Sequence, residues 1–216
     1  MKLKHNYNQD VTVERFFPGT LDAILRVACK EQGVTLPVVL DTSAKCPGWM
    51  RFLNETFPRR RWDAQKLKQF FGAAMVPKPL GKRLLVLFGP AASGKSVTVS
   101  VMVHLVGREN KDQLQMDIHD GVYLNGSSYP RVWMAVNNLA DARFLTVATT
   151  NSLSNQVAHH GVYHEVIVHD RVDPRYIDPT LTTRLKDELP GIYLWALRGL
   201  HDLVDGDYSK IHNPKG

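Results

Sequence analysis

The chain has 216 residues, 44% of them hydrophobic, and a formal net charge of +6 at pH 7. This size and composition allow a buried core, and we expect one α/β domain with a small appended piece. Two cysteines give no disulfide framework and no apolar run reaches the length of a membrane span. These features exclude a disulfide-stapled secreted scaffold and predict a reduced, cytoplasmic (intracellular) protein without a membrane partner.

Helical patterns dominate the first third of the chain. Apolar residues repeat at the spacing of one helix face between Thr20 and Gly33, which predicts a helix there. Residues 49–53 favour a short helix. A third helix is predicted after Asp63, which we expect to act as its N-terminal cap.

Basic residues are concentrated between residues 58 and 83, where eight Lys and Arg face a single acid. Such a patch suits an anionic polymer such as nucleic acid, although a solvated basic helix would have the same composition. Trp62 follows three arginines and is the best candidate for stacking on a base, with a packing or plain surface role as the alternative. The predicted nucleic-acid contacts are Arg59, Arg60, Arg61, Lys66 and Lys68.

The most informative segment runs from Leu84 to Ser96, where an apolar, strand-like run ends in Gly-x-x-x-x-Gly-Lys-Ser and a helix-like run follows. This is the pattern of a phosphate-binding loop in the strand–loop–helix context that it requires. Backbone N–H groups at the helix N-terminus surround the phosphate oxygens, and the helix dipole favours their negative charge. Lys95 is predicted to reach the β- and γ-phosphates and the Ser96 hydroxyl to bind Mg²⁺, so the predicted cofactors are ATP and Mg²⁺. The predicted nucleotide-binding residues are Gly89, Pro90, Ala91, Ala92, Ser93, Gly94, Lys95, Ser96 and Val97.

A helix breaker, Pro-Lys-Pro-Leu-Gly over residues 77–81, precedes this loop. We therefore predict a mostly helical N-terminal region over 1–79 and a phosphate-loop ATPase core over 80–216, which ends in a C-terminal helical segment.

Further elements are predicted beyond the loop. Residues 143–148 favour a buried strand and residues 163–168 a third strand, whereas residues 132–136 fit a helix or a strand. Asp178 is predicted to cap a helix with Pro179 in its first turn. Residues 189–203 favour a helix, whose apolar stripe comprises Ile192, Trp195, Leu200 and Leu203.

Four motifs follow one another in a recognisable order. The first motif is Pro47-x-Trp49-x-x-Phe52-Leu53 followed by a helix with Phe70-Phe71-Gly72, and the second is the phosphate loop. The third is Ala148-Thr149-Thr150-Asn151 at the end of a strand. The fourth covers residues 188–200, which read Glu-Leu-Pro-Gly-Ile-Tyr-Leu-Trp-Ala-Leu-x-Gly-Leu. Together they resemble the viral-type superfamily-three helicases, in the phage and plasmid primase–helicase branch that includes the poxvirus primase–helicase. The loop is shared by many nucleotide-binding proteins, and the C-terminal motif narrows the choice.

This resemblance implies an α/β fold with an AAA+-like phosphate-loop NTPase core, a small N-terminal helical region and C-terminal helices. It implies ATP hydrolysis with Lys95 and Asn151 as catalytic residues, Asn151 orienting the attacking water or sensing the γ-phosphate. It also implies a homo-oligomer, hexameric in this family, that threads single-stranded DNA along a basic inner surface. A separate replication protein is a further expected partner.

The chain departs from that family at two points. Hydrolysis needs an acidic pair at the end of a core strand, but the nearest candidate strand ends in Asn137 and Asn138. An amide hydrogen-bonds water but cannot accept its proton. The family also has two arginines after Asn151, one of which reaches a neighbouring subunit's ATP, and the corresponding positions here hold His164 and Glu165. The remaining substitutes are the acids Asp117, Asp120 and Asp141 and the arginines Arg171, Arg175 and Arg184.

Two functions stay open at this point. The first is an ATP-binding, helicase-like DNA replication protein of a virus or mobile element, acting on DNA as an oligomer. The second is a degenerate, non-hydrolysing nucleotide-binding module that assembles on DNA or on a replication partner. A small phosphotransferase would need an arginine-rich lid and an acceptor pocket, and neither is evident in the sequence.

Overall fold

Three helices begin the part of the chain that the structure describes, and two helices end it, with the described strands between them. A computed structural model describes residues 16–77, 80, 83–107, 115–117, 121–123, 133–134, 146–150, 163–168, 177–207 and 211. The helices are α1 (Pro18–Glu31), α2 (Pro47–Thr56), α3 (Arg61–Met75), α4 (Lys95–Val106), α5 (Leu181–Asp187) and α6 (Leu189–Val204). The strands are β1 (Arg83–Phe88), β2 (Gln115–Asp117), β3 (Gly121–Tyr123), β4 (Trp133–Met134), β5 (Thr146–Thr150) and β6 (Tyr163–Val168). None of the described helices is long and apolar enough to cross a membrane.

Strand β1 lies inside a parallel sheet with the order β4-β5-β1-β6, and β2 and β3 form a separate antiparallel pair. The last residue of β1, Phe88, pairs with Thr150 of β5 on one side and Val168 of β6 on the other. Parallel strands end at the same edge of a sheet, and open α/β sheets bind ligands at that edge. The segment that follows β1 therefore leaves the sheet where a ligand is expected.

Helices α3 and α6 pack backbone against backbone. A Cβ atom built on Gly199 would lie 2.0 Å from the carbonyl oxygen of Lys68, and one on Gly72 would lie 2.4 Å from the backbone nitrogen of Leu200. Buried residues of the N-terminal helices, β1, α4 and α6 form one hydrophobic cluster. The boundary predicted near residue 80 thus lies between the N-terminal helices and strand β1. The hydrophobic core contains residues from both sides of it.

Helix α2 is anchored by a residue that lies far along the chain. Both carboxylate oxygens of Glu188 accept hydrogen bonds at 2.9 Å, one from the backbone N–H of Gly48 and one from that of Trp49. The Trp49 indole is fully buried and contacts the rings of Phe71 and Trp195 at centroid distances of 5.4 Å. These contacts hold α2 against α3 and α6, which fixes the wall of the site described below.

Several predicted boundaries shift for local reasons. The predicted cap Asp63 is wrong, because α3 already begins at Arg61 and Asp63 lies in its first turn. The predicted cap Asp178 is also wrong: it accepts hydrogen bonds from the Thr180 backbone and hydroxyl in the turn before α5. Strand β6 occupies the residues predicted for it, and residues 133–134 form a strand rather than a helix. The β2–β3 pair was not predicted.

Candidate nucleotide-binding site

The segment between β1 and α4 is a tight loop at the carboxyl edge of the sheet. Gly94 is the N-cap of α4 and has a φ of +87°, in the region that favours glycine. A Cβ atom there would also lie 2.7 Å from Cε2 of Phe52. Ala92, a residue with a side chain, takes a φ of +59° in the same loop. Backbone conformation and a close neighbour thus both require glycine at position 94.

Lys95 folds back over this loop. Its ammonium donates hydrogen bonds at 2.7 Å to the carbonyl oxygens of Gly89 and Pro90, and it lies 3.3 Å from the hydroxyl of Ser93. The side chain is only 8% exposed, and burial lowers the pKa of its ammonium from the usual value. A lysine clamped in this way closes the loop and keeps a positive charge at its centre.

The first turn of α4 presents the remaining polar groups. Ser96, which carries a hydroxyl group, is exposed. No acidic residue occupies this turn, so no carboxylate there would repel an anion. The first N–H groups of any helix lack partners inside the helix and attract anions. Lys95, Ser96 and these N–H groups therefore suit phosphate oxygens together with a cation that prefers oxygen ligands.

A pocket of about 200 Å³ opens beside the loop. Its walls come from three parts of the chain: the end of α2, the loop with the start of α4, and the turn before α5. The lining residues are Phe52, Glu55, Thr56, Ala92, Ser93, Gly94, Lys95, Ser96, Val97, Ile177, Asp178 and Leu181. Apolar side chains next to the polar groups of the loop 89–96 are a lining that suits the base and sugar of a nucleotide.

Two of these wall residues have unusual polar environments. The Thr56 hydroxyl is fully buried and has no hydrogen-bond partner among the described residues. Asp178 is engaged: hydrogen bonds from the Thr180 hydroxyl and backbone, together with the Arg184 guanidinium, lower the pKa of its carboxyl. Glu55 is exposed at the rim. Among the lining residues outside the loop and α4, only Phe52 belongs to a motif recognised in the sequence. The others were not predicted as site residues: Glu55, Thr56, Ile177, Asp178 and Leu181.

Arg184, one candidate for an arginine that reaches a neighbouring subunit's ATP, bonds to Asp178 of its own chain. Several other candidates lie outside the described residues: Asn137, Asn138, Asn151, Asp120, Asp141, Arg171 and Arg175. Strand β5, which precedes Asn151, ends at Thr150 opposite Phe88. The predicted role of Asn151 stays a prediction.

The predicted nucleic-acid residues divide into two groups. Arg59, Arg60 and Arg61 are exposed around the start of α3, and Lys66 is half-buried. Lys68 instead turns toward α6, where its ammonium donates to the carboxylate of Asp202 at 2.8 Å. The charge of Lys68 is therefore matched by an acid of the same chain, and its predicted contact with nucleic acid stays a prediction.

A metal centre built from side chains alone is not found in the described residues, where no three His, Cys, Asp or Glu come together. The residues present fit Mg²⁺ only as it accompanies a nucleotide, through the Ser96 hydroxyl with phosphate oxygens as the other ligands. Ser96 would hold that cation, and the cation would neutralise phosphate charge.

No protein-family model matches the chain, and no curated protein matches it. Among solved structures it is similar to the apo A form of the NrS-1 C-terminal region, with 9% identity and a TM-score of 0.48. That match covers 81% of this chain and 51% of the other, so the chain spans about half the length of that structure. A score this low does not establish a common fold.

Proposed function

We propose that the chain binds ATP through the loop 89–96 and acts on DNA as an oligomeric, helicase-like replication protein of a virus or mobile element. The main support for nucleotide binding is the loop itself, which lies at the carboxyl edge of a parallel sheet and is held closed by the side chain of Lys95. The helicase-like role draws on the resemblance of the sequence motifs, and the basic segment before β1 supports an anionic polymer as partner.

In this proposal the phosphates lie over the first turn of α4 and the nucleoside enters the adjacent pocket. Lys95 exchanges its loop carbonyls for phosphate oxygens, which are stronger acceptors because they carry charge. Ser96 holds the Mg²⁺ that accompanies the nucleotide. Phe52 of α2 and Leu181 of α5 both line the pocket and supply apolar surface for the base.

The direct test is a titration of a fluorescent ATP analogue. Lys95→Ala should weaken binding by about 10- to 100-fold, since hydrogen bonds to charged groups contribute about 1.5–3 kcal/mol. Lys30→Ala, an exposed lysine in the last turn of α1, is the matched control and should leave the affinity unchanged. Unchanged affinity in a folded Lys95→Ala protein would exclude nucleotide binding at this loop.

Ser96→Ala provides a second variant that leaves the loop clamp intact. It should remove the increase in ATP affinity caused by Mg²⁺ while binding without Mg²⁺ persists. Equal Mg²⁺ dependence in Ser96→Ala and wild type would contradict the proposed place of the cation.

The second candidate function is a nucleotide-binding module without turnover. The carboxylates that line the described pocket are Glu55 and Asp178, and Asp178 already bonds to Thr180 and Arg184. Measurement of phosphate release with and without single-stranded DNA separates the candidates. Hydrolysis stimulated by DNA and lost in Lys95→Ala supports the helicase-like protein, whereas tight ATP binding without turnover supports the module.

A further inference from the structure

A second surface lies outside the nucleotide pocket, at the start of α3. It consists of the exposed residues Arg59, Arg60, Arg61 and Trp62, which we call the arginine–tryptophan patch. The Trp62 side chain is 81% exposed, whereas Trp49 is fully buried and Trp195 is packed against the core. An indole this exposed contributes little to the hydrophobic core, so it is available to a binding partner.

The charges of the patch also oppose local helix preferences. Positive side chains are disfavoured at a helix N-terminus, where the helix dipole is already positive. Arg60 occupies the N-cap position of α3 without a capping side-chain hydrogen bond, and its guanidinium pairs at 4.0 Å with Asp63, the one acid in the first turn. Local rules broken at the same place as an exposed aromatic residue are typical of a functional surface.

The patch is carried on an ordered connection. Phe57 is buried, its backbone N–H donates to Leu53, and its carbonyl oxygen accepts from the N–H of Arg60 at 3.2 Å. The patch is also close to the nucleotide pocket along the chain, because Thr56 lines the pocket and Arg59 already belongs to the patch. An anchored surface loses little conformational entropy when it binds a partner.

We propose that the arginine–tryptophan patch binds single-stranded nucleic acid, with one base stacked on Trp62 and neighbouring phosphates paired with Arg59 and Arg61. Single strands expose both base faces and a charged backbone, and their binding sites combine aromatic platforms with basic residues. An acidic protein would also satisfy the arginines, but a single strand offers a base face for the indole at every nucleotide. We take nucleic acid as the polymer from the proposed function, on which this inference rests, but binding here needs no nucleotide.

The experiment measures the affinity of the full chain for fluorescein-labelled oligo(dT) over a range of salt concentrations, without nucleotide. Trp62→Ala should bind about 5- to 150-fold more weakly, the range for loss of one base stack. Trp62→Phe keeps an aromatic face and should recover part of the affinity. Both changes affect a mostly exposed side chain, and thermal melting checks that the fold is retained.

Charge is tested by a matched pair of double variants. Arg59→Ala with Arg61→Ala should lower the slope of log K against log salt by about 1.4, since each phosphate contact on a single strand contributes about 0.7. Lys30→Ala with Lys186→Ala removes the same charge from exposed positions elsewhere and should leave the slope unchanged.

Three outcomes would overturn the proposal. Oligo(dT) bound equally by Trp62→Ala and wild type excludes the stack, and equal salt slopes in the two double variants exclude the arginine contacts. Polyglutamate bound as tightly as oligo(dT), with no effect of Trp62→Ala, would assign the patch to an acidic protein. Lys95→Ala should bind oligo(dT) normally here, so failure of the nucleotide site and failure of the patch are distinguished.

Discussion

Gly199 offers the sharpest test of how the helices that support the site are packed. In Gly199→Ala, the added Cβ would lie 2.0 Å from the carbonyl oxygen and 2.4 Å from the carbonyl carbon of Lys68. Both are backbone atoms, so no side-chain rotation relieves the overlap. Ordinary contact needs about 3.4 Å, so α3 and α6 must separate locally by about 1.4 Å.

The free-energy cost follows from this displacement. A gap of 0.5–1 Å already forfeits a quarter to a half of the dispersion attraction between the atoms involved. We therefore expect about 3 kcal/mol, the upper end of the usual range for overpacked cores. Alanine recovers about 1 kcal/mol through its higher helix propensity. The net loss in the free energy of unfolding is about 2 kcal/mol.

Urea unfolding followed by circular dichroism measures this loss. Gly19→Ala in α1 is the matched control, because nothing lies within 4 Å of the added Cβ. That change should stabilise the protein by about 0.4–1 kcal/mol. A Gly199→Ala protein with a midpoint at or above the wild-type value, and an unchanged m-value, would refute the close packing of α3 on α6.

Three further predictions concern contacts around the site. Glu188→Gln removes the charge that caps α2 and should lower the free energy of unfolding by about 1 kcal/mol, measured by urea titration. Burial alone would raise the pKa of Asp202, but hydrogen bonds from Lys68 and Gln65 more than offset this and hold it below its ordinary value of 3.8. Its contribution to the free energy of unfolding is therefore present above that value and lost as the pH falls through the folded pKa. Asp202→Asn should destabilise the protein by up to about 1 kcal/mol at pH 7, and this difference from wild type should disappear once the pH is below the folded pKa. Thr56→Val replaces a buried, unpaired hydroxyl by a methyl group and should leave thermal stability equal or higher while weakening ATP binding; weaker stability with unchanged ATP affinity would contradict a role in the pocket.

The loop was predictable because its determinants are local. The φ of Gly94, the reach of Lys95 over five or six residues, and the start of α4 follow from consecutive positions in the chain. The same holds for β6 and for most of α6, whose apolar patterns extend over whole elements. Whether the core is AAA+-like stays a prediction, since the comparisons do not test it.

The pocket walls were not predictable because they depend on distant packing. Phe52 and Ile177 meet beside the loop only after the chain has folded, and Glu188 caps Gly48 across 140 residues. The ion pair of Lys68 depends on distant packing in the same way. A sequence gives the number of positive charges, but only the packing of α3 on α6 pairs this one with Asp202.

The environment of Lys95 implies that the proposed nucleotide binding would exchange hydrogen-bond partners of its ammonium rather than add new ones. The ammonium already has two backbone carbonyls at 2.7 Å and is almost fully buried. Phosphate must displace these partners, so the affinity contributed by Lys95 equals the difference between charged and neutral acceptors. Burial lowers its pKa, which disfavours the charged form, and an anionic ligand reverses that effect. Bound ATP should therefore raise the pKa of Lys95, and over the pH range where the ammonium titrates, binding should take up protons.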